Sequence, residues 1–218
     1  MKKNIMIFLF LLSFLNLFAS NISEKILIET VEMLKKERNG FDVLYVLQDS
    51  RVNVLDKHKI PKLLEQLRNE KIKKDNYPWE FYYENKKYND FTMFGGFSLS
   101  SCAEARVIAL FPEIKFSLLS RGFEIEQCSY CRSKNIKNKF RKVGSISLID
   151  AFFIDSKRIF VYITFSEEKN AIVVETVDKI KVVNFGETES YDLFLLFEID
   201  NGKVSLKEKY FINLDDFF

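Results

Sequence analysis

Arg158-Ile159-Phe160-Val161-Tyr162-Ile163-Thr164-Phe165 reads as a β-strand, because β-branched and aromatic side chains fill it. The fold class depends on this stretch, since runs on both sides repeat its character at close intervals. Ser145 to Ile154 precede it, and Ala171 to Val183, Leu193 to Ile199 and Lys203 to Ile212 follow as further strands. Turns are predicted at Asp155-Ser156-Lys157, at Glu167-Glu168-Lys169-Asn170 and at Asp200-Asn201-Gly202. The last carries Asn-Gly, the strongest short hairpin signal in the chain. Strands this closely spaced imply antiparallel hairpins, not βαβ crossovers.

Upstream the periodicity changes. Asn21-Ile22-Ser23-Glu24 reads as a helix start, with Asn21 as cap and Glu24 completing a capping box. Ile26, Leu27, Thr30, Val31 and Leu34 recur at helical spacing, and Asn39-Gly40 is the predicted stop. Phe41 to Leu47 is a strand. Ile60-Pro61 opens a second helix with one apolar stripe, Leu63, Leu64, Leu67 and Ile72. Trp79, Phe81 and Tyr83 alternate with polar neighbours and turn at Asn85-Lys86 toward Tyr88, Phe91 and Met93, a hairpin of aromatic pairs broken by Gly95-Gly96. Between Ser100 and Gly122 two readings compete. One is a single helix from Ser101 kinked at Pro112; the other is a strand over Ala105 to Phe111 with Pro112 opening a short helix. Both make Leu118 and Leu119 helical, and Phe123 to Glu126 is a strand. The expected class is α+β: two N-terminal helices and a mostly antiparallel β-sheet packed with helix.

The amino terminus supplies an address. Lys2 and Lys3 precede an apolar run from Ile5 to Phe18, which ends at Ala19-Ser20. That is the layout of a secretory signal peptide over 1–19, and the run falls short of the ~20 residues of a spanning helix. The remainder, 20–218, is expected as a single α+β domain with a candidate sub-boundary near 76–90. The polar stretch 68–77 and the basic stretch 132–142 are the candidate seams. No further transmembrane segment is expected. Losing Lys2 and Lys3 from the 33 basic residues balances the 31 acidic ones, so no global field gathers nucleic acid. Phe at 23 and Tyr at 9, against 7 Gly and 3 Pro, point to an aromatic-rich β core.

Export makes crosslinking the natural fate of cysteines. Cys128-Ser129-Tyr130-Cys131 is the sharpest motif, followed by Arg132, Lys134, Lys137, Lys139, Arg141 and Lys142 with no acid between. Positive charge stabilises a thiolate, which gives a redox reading for Cys128 and Cys131. Against it, no apolar-faced helix follows the pair. Pro61, Pro78 and Pro112 all precede it, so no proline follows to face the dithiol. The competing reading is a structural disulfide among Cys102, Cys128 and Cys131, whose pairing the odd count leaves open. Those three with His58 also make a zinc set on paper, but His58 sits among charges in Asp-Lys-His-Lys, so no metal and no cofactor is expected.

Other chemistry finds little footing. His58 is the single histidine, and no Gly-x-Ser-x-Gly elbow meets it. Ser166-Glu-Glu-Lys169 matches a Ser-x-x-Lys spacing on a predicted turn, where chance explains it. The basic side chains of 132–142 are the candidate anion- or partner-binding set; with Tyr130 and Phe140 alone as aromatics they do not suit single-stranded nucleic acid.

Leu118-Leu119-Ser120-Arg121-Gly122-Phe123-Glu124-Ile125, then Val143-Gly144-Ser145-Ile146, then the strands at 158–165 and 171–175, follow a familiar order. Over about residues 92–183 this resembles the small α/β module of bacterial envelope proteins of the curli-secretion, flagellar FlgO-like and TolB amino-terminal families. The resemblance implies a module that binds partners or assembles, with no catalytic residues. The chain departs from that pattern in lacking a lipobox cysteine and in carrying the Cys-x-x-Cys loop. The expected function is an exported, non-enzymatic periplasmic or envelope protein with an envelope protein partner. The alternative is a thiol–disulfide protein using Cys128 and Cys131.

Overall fold

Side chains that alternate toward two apolar environments demand a sheet covered on both faces, and the long carboxy-terminal strands meet that demand. The computed structural model describes residues 22–47, 55–70, 72, 81, 101–117, 124–125, 141–175, 180–183 and 188–213. Along the chain these form α1 (22–37), β1 (Val43–Leu47), a 3₁₀ turn (Lys57–Lys59), α2 (Ile60–Arg68), α3 (Ser101–Leu110) and β2 (Ile114–Ser117). Then come β3 (Glu124–Ile125), β4 (Arg141–Phe153), β5 (Arg158–Glu175), β6 (Ile180–Val183), β7 (Thr188–Asp200) and β8 (Lys203–Asn213). The class is α+β. Among the described residues no helix is long and apolar enough to cross a membrane.

The central order is β2-β1-β4-β5-β7-β8. The long ladders β4–β5, β5–β7 and β7–β8 are antiparallel, whereas β1 pairs in parallel with both β2 and β4. β5 outruns its partner. Beyond Glu168 its free edge passes from β7 to β6, and β3 joins β6 in parallel.

Local chemistry explains the joints. α1 ends in a Schellman motif: Asn39 takes φ +57°, and the Gly40 N–H reaches back to the Lys35 carbonyl at 2.9 Å. Asp200 pairs with Lys203 around Asn201 and Gly202, both at positive φ, which is the type I′ hairpin that Asn-Gly favours. The β4–β5 turn closes on Asp155, whose Oδ1 accepts the N–H groups of Lys157 and Arg158, each at 2.8 Å.

Two cores result. Ile22, Ile26, Leu27, Val31 and Leu34 of α1, with Val107 of α3, pack on Ile146, Val161, Ile163, Phe165, Leu193 and Leu195. On the other face Ile60, Leu63, Leu64 and Leu67 of α2, with Phe81, cover Phe152, Phe160, Tyr162, Phe194 and Leu196. Each large side chain so buried stabilises the fold by about 1.5–3 kcal/mol. A bulge between Leu148 and Asp150 sorts β4 between these cores. It inserts one residue, so Asp150 lies opposite Tyr162, while Ala151 and Phe153 keep the α1 face.

The structure overturns the predicted turn at Glu167 to Asn170 and the predicted helix after Pro112. The turn at Glu167 to Asn170 does not exist: β5 runs unbroken from Arg158 to Glu175, because the charge of Glu167 is neutralised inside the fold. After Pro112 the chain forms β2 and not a helix, since Ile114 and Phe116 gain backbone partners on β1. The expected capping box of Asn21 and Glu24 falls partly outside the described residues, since Asn21 lies outside them; the Glu24 carboxylate also accepts from Arg106 Nε at 2.9 Å. The leader and the aromatic hairpin, apart from the buried Phe81, also lie outside them.

Candidate functional site

Two polar groups interrupt the cores, one on each face of the sheet. Under α1, odd-numbered positions of β5 and β7 present Glu167, Glu189 and Tyr191 to Arg38 at the helix end. Arg38 Nε donates to Glu167 Oε2 at 2.6 Å, and its Nη2 donates to Glu189 Oε2 at 2.7 Å and to the Tyr191 hydroxyl at 2.8 Å. That hydroxyl in turn donates to Glu189 Oε2 at 2.7 Å. Lys142 Nζ stands 3.2 Å from Glu167 Oε1, and Lys169 Nζ donates to Glu189 Oε1 at 2.6 Å. Hydrogen bonds from Lys169 and then Tyr191 hold the Glu189 carboxyl down at about 2. Burial alone would lower the Arg38 value, but the Glu167 carboxylate outweighs it and raises it. Beside the hub, Gly144 leaves room for Leu44 and Phe41: a Cβ there would meet Leu44 Cδ1 at 2.8 Å and the Phe41 ring at 3.0 Å. Every strong charge in the hub has a partner, so it fastens α1 to the sheet.

The α2 face is less complete. Register arranges it in rows across the strands. Phe152, Phe160 and Leu196 form the first row, and Asp150, Tyr162 and Phe194 the second. Ser147, Thr164 and Asp192 form the third; Tyr45, Ser145, Ser166 and Ser190 the fourth; Val143, Glu168 and Thr188 the fifth. The first two rows lie under α2 and Phe81. In the third and fourth, Ser145, Ser147, Thr164, Ser166 and Ser190 are all partly exposed, although they stand on strands paired on both sides. The Ser166 and Ser190 hydroxyls lie 3.2 Å apart.

Carboxyls bracket these hydroxyls. Asp192, 2% exposed, accepts from the Tyr162 hydroxyl at 2.9 Å, and burial pushes its pKa up to about 7. Asp150, also buried, accepts the Leu55 N–H at 2.9 Å and ties the approach of α2 to β4. Glu168 is 6% exposed, its Oε2 accepts no hydrogen bond among the described residues, and burial raises its pKa. Its neighbour Glu167, equally deep, holds Arg38 and Lys142. A buried acceptor left in that state costs about 1–3 kcal/mol.

This face offers donors and acceptors, not an activated nucleophile. Ser166 and Lys169 stand three apart on one strand and therefore point to opposite faces; Lys169 spends its ammonium on Glu189. The match to a Ser-x-x-Lys spacing has no chemical content.

The residues singled out from sequence lie elsewhere. Cys102 is a free, exposed thiol on α3. Cys128 and Cys131 lie outside the described residues, as do Arg132, Lys134, Lys137 and Lys139. Arg141 begins β4. Lys142 turns to Glu167 and donates to the Arg38 carbonyl, and its ammonium lies 5.2 Å from the Phe41 ring centroid. His58 lends its backbone N–H to Asp56 Oδ1 at 3.0 Å. Among the described residues no three His, Cys, Asp or Glu side chains converge as a metal set. Sequence reading missed Arg38, Glu168, Asp192 and the serine rows. The signal was the alternation of Thr164, Ser166 and Glu168 in an extended continuation of the Arg158 strand.

Fold and site define a mixed-sheet α+β protein with one sheet face part apolar and part hydroxyl-lined. The chain matches no protein-family model, no curated protein and no solved structure.

Proposed function

We propose that the protein is exported and acts without catalysis, as a periplasmic or envelope binding or assembly-accessory module whose contact surface is the hydroxyl-lined part of the α2 face. One observation carries this reading. The partly exposed Ser145, Ser147, Thr164, Ser166 and Ser190 collect in the interior of a sheet face that α2 covers elsewhere. Hydroxyls set in rows at strand spacing suit a polar ligand or partner, which exchanges its hydration for matched hydrogen bonds. The sequence resemblance over 92–183 to envelope assembly modules supports the same class. The leader pattern at 1–19 supports export.

Two measurements test it. Fractionation with terminal mass analysis should find a chain beginning at Ser20 in the periplasm; Met1 retained in the cytosol would overturn export. Adding envelope extract to labelled protein should shift amide resonances near Ser145, Thr164, Ser166 and Ser190 before any others. Shifts confined to the α1 face would remove the contact surface.

A further inference from the structure

We propose that Glu168 is the anionic end of this surface and receives the ammonium of a small hydroxylated primary amine, a ligand class that deepens the reading above and rests on it. The argument begins with a contrast inside β5. Glu167 and Glu168 are both buried, yet Glu167 holds two cations and Glu168 none among the described residues. A buried polar group without a partner requires an account. Its own strand supplies no cation: Lys169, next along, faces the opposite side and is bound to Glu189. The flanking positions, Val143 on β4 and Thr188 on β7, carry no positive charge.

What lies next to Glu168 defines the rest of the ligand. Two residues along β5, about 6.6 Å away, begins the row of Ser145, Ser166 and Ser190. Their hydroxyls both donate and accept, so they fit hydroxyl groups on the ligand. They are partly exposed while Glu168 is covered, so a ligand enters over the serines with its ammonium leading. A charged hydrogen bond in such a covered place is stronger than one in water. A neutral polyol satisfies the serines and leaves Glu168 as it is. The amine is therefore the discriminating group.

Glucosamine and glucose, which differ only in an ammonium for a hydroxyl, are the probes. Titrated into the full-length protein as isolated, glucosamine should shift the amides of Ser145, Ser166, Glu168 and Ser190 and bind about tenfold more tightly than glucose. Glu168→Gln should erase that difference while leaving glucose unchanged. It should not lower the urea midpoint of the free protein, because a carboxyl with no cation partner among the described residues is replaced by a neutral amide of the same size. Equal binding of the two sugars overturns the amine and leaves the polar surface standing. No shift from either sugar also overturns the amine, and the surface is then judged by the envelope-extract mapping. A preference that survives in Glu168→Gln assigns the ammonium to another group and sinks the role of Glu168. The wild-type comparison decides the point even where the variant folds poorly.

Discussion

At the scale of single residues, Asp192 sets a pH response with an unusual sign. Its carboxyl ordinarily titrates near 3.8, and burial raises it to about 7 in the fold. Between those values the unfolded chain releases a proton that the folded protein keeps. Stability contributed by this group is therefore full below about pH 4, falls as pH rises, and is gone above pH 7. The span corresponds to at most about 4 kcal/mol. Glu168, also raised by burial, acts in the same direction. Glu189 acts in the other: held at about 2 against an ordinary 4.5, it stabilises above pH 4.5 and loses that effect as pH falls toward 2. The interval from pH 5 to pH 8 therefore isolates the raised carboxyls. Urea unfolding should show a lower midpoint at pH 8 than at pH 5, and Asp192→Asn, which keeps an acceptor for the Tyr162 hydroxyl, should remove most of the difference. An unchanged slope in the variant would show that Asp192 ionises as freely in the fold as out of it.

At the scale of elements, charged pairs fasten the helices to the sheet and to one another. Arg38 closes α1 onto β5 and β7, Arg68 of α2 grips Glu208 of β8 through two bonds of 2.8 and 2.6 Å, and Arg106 of α3 holds Glu24 of α1. The exposed pairs contribute little, because water screens them. Arg38 is different because Glu167 beneath it is 2% exposed. Arg38→Ala should cost about 3 kcal/mol, at the low end for a broken buried pair because Lys142 still faces Glu167. Chemical denaturation reads this directly, and adding Glu167→Gln should recover part of the loss; strictly additive losses would mean the two side chains do not interact. This hub also marks the limit of sequence reading. The apolar stripes of α1 and α2, the stop at Asn39-Gly40 and the turn at Asn201-Gly202 follow from local rules and were readable. Glu167-Glu168-Lys169-Asn170 looks like a turn because solvated charges usually are. Arg38, 129 positions away, and Lys142 make Glu167 a strand residue, and no local pattern carries that information. The serine rows were equally hidden, since their meaning comes from neighbours on β4 and β7.

At the scale of the molecule, one sheet serves two cores, and that shared wall decides how the protein unfolds. The parallel pairs of β1 with β2 and β4 join segments some 70 to 100 residues apart, from Leu44 to Ile114 and from Val43 to Val143. Such contacts leave no trace in local spacing, which is why the hairpins at Asp155 and at Asn201-Gly202 were foreseen and the parallel edge was not. They also tie the amino-terminal half to the carboxy-terminal strands. Leu27 of α1 packs on one face of those strands, while Phe194 on the other is fully buried and stacks on Tyr162 at 5.1 Å between centroids. Neither core can open without exposing residues of β5 and β7 that belong to the other. Leu27→Ala should cost about 2–5 kcal/mol and Phe194→Ala about 3–5 kcal/mol. Each variant should lower one shared urea midpoint with an unchanged m-value. Far-ultraviolet circular dichroism, reporting the helices and sheet, and near-ultraviolet signals, reporting the tyrosines, should move together in both. If Leu27→Ala instead splits the transition, with α1 lost while the Phe194 side stays intact, the two faces are independent units and the sheet does not couple them.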